Sequence, residues 1–217
     1  DTGNKLSGNF AMEFSQSEID HLRDINPFRT YGKDQHTYED NIRSIFAYLD
    51  SNPSHTKHLR ALADYIKTSI ESAQLTDLDK YQFALDFVQE PNIKYCIDEE
   101  SAGIEFAKEY MRIPNETLFD KEGDCDCKSA LATALFRAMG KDVLYLISVK
   151  LAHAAIAIEC NDEWLEYIKP ADESHVICEQ EGKRFIICET TGDGFRIGHI
   201  KDGDSIQDFE TKIYLPI

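Results

Sequence analysis

Hydrophobic spacing changes period once along this chain, and that change limits the fold more than any single residue does. From about residue 15 to 90, apolar residues recur at helical intervals in a charged, Gly-poor background. From about residue 142 onward they alternate or form short continuous runs, as strands do. Helices first and antiparallel strands after predict an α+β fold.

Three helices are predicted in the first part. Residues 37–49 place Ile42, Ile45, Phe46 and Leu49 on one face. Residues 55–73 do the same with Leu59, Leu62, Ile66 and Ile70, with Ser54 as cap. Residues 76–88 carry Leu78, Tyr81, Leu85 and Val88 behind a Thr76 cap, and Pro91 stops the helix. A fourth helix, 125–139, follows Gly123-Asp124, a turn plus N-cap, and ends at Gly140 as a left-handed cap. Strands are predicted at 142–149, 154–160, 164–168, 176–179 and 184–190, and Gln180-Glu181-Gly182-Lys183 reads as a hairpin turn. Short turns between the early helices suggest a helical extension, 1–75, packed on a core of 76–217.

Charge narrows the partners. Asp and Glu total 40 against 23 Lys and Arg, a formal net charge of −17. Such a surface repels phosphate backbones and anionic lipid, so no nucleic-acid partner is expected. The longest apolar run, 143–147, is far short of the roughly 18 residues that span a bilayer, so direct membrane insertion is not expected. The chain starts Asp-Thr-Gly, a start read as set by processing or by a boundary. Compartment stays open: reduced cysteines favour the cytoplasm, and the non-Met start favours the outside.

Cysteines stand at 96, 125, 127, 160, 178 and 188, most of them read as reduced core residues. Cys125 differs. As first residue of a capped helix it faces unpaired N–H groups and the positive end of the helix dipole, which predicts a lowered thiol pKa. Cys127 points about 200° away on the same helix, onto the apolar stripe of Ala130, Leu131 and Ala134. His153 opens the alternating run 154–159, with Ala155 and Ala157 on its own face leaving space for a helix or a substrate. Glu189 ends the apolar run 185–188 and needs a cationic or hydrogen-bonding partner. Thr191 and Asp193 are rival partners for the histidine. Each residue has a bland reading too: an inert turn thiol, a strand-end histidine bonded to a carbonyl, a glutamate turned to solvent. Together they form a nucleophile, a base and an orienting carboxylate. His36, His55 and His58 read as surface residues, and Trp164 as sheet packing. Dinucleotide, Walker, His-Glu-x-x-His and EF-hand motifs are absent from the sequence.

The run Gly123-Asp124-Cys125-Asp126-Cys127-Lys128-Ser129-Ala130-Leu131, then Leu135 to Gly140, resembles the nucleophile helix of the transglutaminase-like superfamily. His153-Ala154 is similar to that family's His-Ala strand start, and Glu189-Thr190-Thr191 to its Asp-Pro-Thr-like segment. Phe87-Val88-Gln89, Ile93-Lys94-Tyr95 before an acidic stretch, Pro114 to Leu118, and Glu189 to Gly198 resemble a prokaryotic branch of it. The resemblance covers about residues 60–200. It implies a papain-like α+β core in which Cys125 is the nucleophile, His153 the base and Glu189 the orienting carboxylate. Two residues depart from the pattern: Cys127 stands where the branch usually has Asp, and the third member is Glu rather than Asp.

The leading expectation is thiol-dependent acyl transfer on amide bonds of a protein or peptide substrate, more often hydrolysis than cross-linking, with no cofactor and no metal. A second is an inactive module of the same fold that binds protein or peptide. A thiolate metal site built from Cys125, Cys127 and a histidine is disfavoured, because both sulfurs on one helix do not easily converge. Most of the acidity reads as a solvated coat, and the field should favour neutral or basic substrates over acidic ones.

Overall fold

The computed structural model describes residues 10–30, 36–97, 110–170 and 172–217. Eight α-helices and seven strands are present among them: α1 (Gln16–Ile25), α2 (Tyr38–Ser51), α3 (Lys57–Ser72), α4 (Asp77–Val88), β1 (Lys94–Tyr95), α5 (Pro114–Asp120), β2 (Glu122–Gly123), α6 (Cys125–Ala138), β3 (Val143–Ser148), β4 (His153–Glu159), α7 (Asp162–Ile168), α8 (Glu173–Val176), β5 (Ile177–Gln180), β6 (Lys183–Cys188) and β7 (Thr211–Leu215). The fold is α+β, as the change of period requires. The acidic stretch after Tyr95 runs into residues 98–109, outside the described residues.

Local signals account for most boundaries. Thr37 and Thr76 cap α2 and α4, each reciprocated by an Asp three residues on. Ser54 is not the cap of α3. Asn52 instead caps a 3-10 turn over Pro53–Thr56, and α3 starts behind it without a side-chain cap. Residues 164–168 are helix rather than strand. Asn161 accepts from Trp164 N at 2.9 Å, and Asp162 and Glu163 occupy the first turn, where a helix dipole favours them.

The sheet has the order β5-β6-β4-β3-β7 with every neighbour antiparallel. Its last member, β7, carries Ile213 and Leu215 in alternation, a short signal the sequence reading passed over. The pleat sorts its residues onto two faces. Ile156 and Ile158 of β4 join the helices in the main core, with Leu131 and Leu135 of α6. Ala155 and Ala157 pack on the other face with Phe185, Ile187 and Phe209. The small-residue face of β4 is therefore not the helix-facing one. The rings of Phe185 and Phe209, both fully buried, fill the space the alanines leave. The main core runs without a break from Ile19 of α1 to Leu215 of β7.

All six cysteines are free. His58 is not a surface residue. It is nearly buried, its ring 4.0 Å from that of Phe14, with Nε2 3.3 Å from Glu18. Trp164 packs inside, under the Lys141 ammonium at 4.2 Å.

Gly123 shows why the residue before the α6 cap is a glycine. A Cβ there would lie 2.5 Å from Cys127 Cβ, and neither atom can swing aside. Gly123→Ala should therefore destabilise the fold by about 1–3 kcal/mol, the usual range for overpacking a tight contact. Urea unfolding of the variant checks this, and an unchanged midpoint would contradict it.

Candidate active site

Three elements converge where α6 meets the ends of β4 and β6. Asp124 is the N-cap of α6, its Oδ1 accepting from Cys127 N at 3.3 Å. That makes Cys125 the first helical residue, half-buried at the helix mouth. Its sulfur lies against the backbone N–H of Ala154, the residue after His153. His153 opens β4 and is paired with Ser148 of β3. Its Nε2 bonds Glu189 Oε2 at 2.9 Å, which leaves Nδ1 as the second ring nitrogen.

Glu189 follows the last residue of β6 and is 5% exposed. Its second oxygen, Oε1, accepts from Thr191 N at 2.8 Å and from Thr191 Oγ1 at 2.6 Å. Burial opposes the charge, but the bonds from His153 and Thr191 outweigh it and hold the carboxyl below its ordinary range. Of the two residues weighed as rival partners, Thr191 bonds the carboxylate rather than the imidazole. Asp193 lies beyond it on the loop, within the field of Asp86.

The thiol does not behave as a helix terminus alone would dictate. Burial, then the carboxylates of Asp126 and Asp124, push Cys125 well above its usual range, and Glu189 adds to the push. The Ala154 N–H pulls the other way without prevailing. The expected lowering is thus reversed. A half-charge dipole at the helix start is outweighed by full negative charges placed beside the sulfur in a dry setting.

Cys127 is fully buried, as its place on the stripe predicts. Its sulfur accepts from Arg112 N at 3.2 Å and points toward Tyr110 O at 3.6 Å. Arg112 Nη1 lies 3.9 Å from the sulfur, and the guanidinium pairs with Asp120 and Glu122. The departure at position 127 is therefore accommodated by a buried cation that finds its carboxylates elsewhere. Among the described residues, the group able to hold a metal is Asp124, Asp126 and Cys127, with ligand atoms within 4.8 Å of one another. It includes neither Cys125 nor His153. Asp124 is engaged as the helix cap, Asp126 accepts from Tyr38 at 2.5 Å, and Cys127 faces Arg112. A guanidinium against the sulfur opposes a second cation there.

Several neighbours escaped the sequence reading. Tyr38 reaches Asp126 from α2, a contact no local pattern announces. Tyr145 OH donates to Asp126 O at 3.1 Å. Tyr95, 39% exposed, stands in the combined field of Cys125, Asp124, Asp126 and Glu189. Gln89 is buried, and its Nε2 donates to Glu189 O at 2.8 Å and to Phe195 O at 3.0 Å, fixing the loop that carries the acid. Lys128 is fully buried one turn below Cys125. Gln89 and Lys128 lie inside the motif runs already singled out, so a signal existed for them.

A family model described as a transglutaminase-like domain matches residues 61–168, a stretch that holds Cys125 and His153 and ends before Glu189. No curated protein and no solved structure matches the chain. No helix among the described residues is long and apolar enough to cross a membrane.

Proposed function

Because the chain belongs to the transglutaminase-like superfamily, we propose that it catalyses thiol-dependent acyl transfer on amide bonds, with Cys125 as nucleophile, His153 as base and Glu189 as the carboxylate that orients the imidazole. Two observations support this reading. The Cys125 sulfur sits beside the start of β4, and His153 at that start is bonded to Glu189.

In this reading the resting thiol is protonated. His153 Nδ1 takes its proton as the sulfur attacks the amide carbonyl. The carbonyl π electrons move to oxygen, then return to expel the amine, which leaves with the proton from the imidazolium. A thioester on Cys125 remains. Water, deprotonated by His153, then releases the acid and restores the thiol. An amine in place of water would form a new amide. Hydrolysis is the outcome proposed, and the substrate a neutral or basic protein or peptide, because the carboxylates of Asp126, Asp124 and Glu189 act on the thiol within a chain of net charge −17 and disfavour acidic substrates. Residues 1–75 form, in the same reading, a helical extension on a catalytic core of 76–217.

A second reading, an inactive module that binds protein or peptide, draws on one observation: burial and nearby carboxylates push the thiol up. One experiment separates the two. Glutamine-containing and basic peptides are incubated with the protein, with and without a primary-amine probe, and products are read by mass spectrometry. Turnover that falls by about 10²–10⁴ in His153→Ala, the range of a lost general base, supports the enzyme. Peptide binding without product, equal in both proteins, supports the module.

A further inference from the structure

The reaction above has no use for Lys128, yet the chain buries its side chain completely. A buried ammonium is costly unless something nearby needs its charge. Lys128 Nζ donates to Ile93 O at 2.7 Å. That carbonyl belongs to the segment between α4 and β1, which starts at Gln89, and Gln89 in turn holds Glu189 O. The amine is therefore wedged between the helix that carries Cys125 and the segment that fixes the acid. The next residue of α6, Ser129, meets Thr190, the residue after Glu189, with their hydroxyl oxygens 3.0 Å apart, and the charges of Glu90 first and Glu189 second support the ammonium.

Resting on the proposed reading of the site, we propose that Lys128 is a positioning residue acting through Glu189: its buried ammonium is the counter-charge for the Glu189 carboxylate while His153 is neutral. A base must be neutral before it can accept the thiol proton, and at that stage the buried Glu189 has no charge from its own histidine. Without another cation, the uncompensated carboxylate would add its full field to those of Asp124 and Asp126 and hold the thiol proton more tightly. Burial pulls the Lys128 pKa down to about 8 against the support of Glu90 and Glu189. The sign follows directly: the counter-charge is present at neutral pH and fades as pH rises past about 8.

The test is the pH profile of iodoacetamide alkylation at Cys125, read by peptide mass spectrometry in wild type, Lys128→Met and Lys128→Arg. Met keeps the length and loses the charge; Arg keeps the charge. In Lys128→Met the profile should move about one pH unit to the alkaline side, so alkylation at pH 7 slows about tenfold, and Lys128→Arg should stay near wild type. A folded Lys128→Met with the wild-type profile would overturn the proposal and leave the amine as a tether for Ile93. If Lys128→Met does not fold, the reciprocal measurement replaces it. The NMR titration of the Lys128 side chain should move to lower pH in Glu189→Gln, and an unmoved titration would overturn the proposal. Failure of the parent reading looks different: His153→Ala would then leave Cys125 alkylation unchanged.

Discussion

The Cys125→Ala variant is expected to lose amide-bond turnover by at least about a thousandfold, the scale of removing a nucleophile from a working triad, while the protein stays folded. The fold should barely respond because the position asks little of the side chain. Cys125 is half-buried at the first turn of α6, and the cap belongs to Asp124. Alanine is the best helix former, so the stability change should stay within roughly 1 kcal/mol. The chemical loss, by contrast, is total in kind. The other free thiols, Cys96, Cys127, Cys160, Cys178 and Cys188, are buried, and none can replace the sulfur at the helix mouth. Acyl-enzyme trapping by intact mass, next to a thermal melt, checks both halves. If Cys125→Ala turned over peptide at the wild-type rate, the nucleophile assignment would be abandoned. If wild type and variant bound peptide equally and neither formed product, the inactive-module reading would take its place.

How much of this was legible in the sequence depends on how local each cause is. The helices at 38–51 and 77–88 follow from cap residues and apolar spacing within a dozen positions, and their boundaries fall within a residue or two of the expected ones. The cap at Asp124 and the burial of Cys127 are equally local: both follow from helix geometry alone. Residues 164–168 misled because Trp, Tyr and Ile favour strands, while the deciding cap lay three residues upstream at Asn161. The face of β4 that meets α6 was not legible either. Alternation divides His153, Ala155 and Ala157 from Ile156 and Ile158, but it does not say which set the helix covers. That depended on Phe209, more than 50 residues away in the chain, filling the alanine side.

The thiol shows the limit most plainly. Sequence places it at a helix start, and from that alone its proton should leave easily. Burial raises the thiol first, and the opposing charges come from Asp126 and Asp124 beside it and from Glu189 just past the end of β6. Distance and desolvation decide the outcome, and neither is written in the order of residues. The consequence is mechanistic. In the proposed reaction a thiol held protonated needs the base at the moment of bond formation, so whatever fixes the His153 tautomer should control the rate.

Glu189→Gln is therefore expected to lower turnover by about 10²–10⁴ with little change in substrate affinity, because it sends the wrong nitrogen to the thiol. Glu189 fills three acceptor positions at once: Oε2 for His153 Nε2, and Oε1 for the Thr191 N–H and hydroxyl. Glutamine has one acceptor atom and one NH₂ donor. The Thr191 backbone N–H can only donate, so the amide oxygen must stay on that side. The NH₂ then faces His153 Nε2, which must become the acceptor. The ring proton moves to Nδ1, the nitrogen that should have been free to take the thiol proton, and the base is disabled in place. The isosteric amide fills the same space, so the loss should appear in kcat rather than KM. A second signature concerns acid. Glu189 has a lowered pKa in the folded protein, so it contributes stability that is present above its unfolded pKa and is lost as pH falls through the folded value. Glu189→Gln should remove that part of the acid dependence. Glu189→Asp keeps every acceptor and shortens the arm by one methylene, so it should retain more activity than Gln. If Gln equalled wild type in kcat, or exceeded Asp, His153 would not be held by this carboxylate during the reaction.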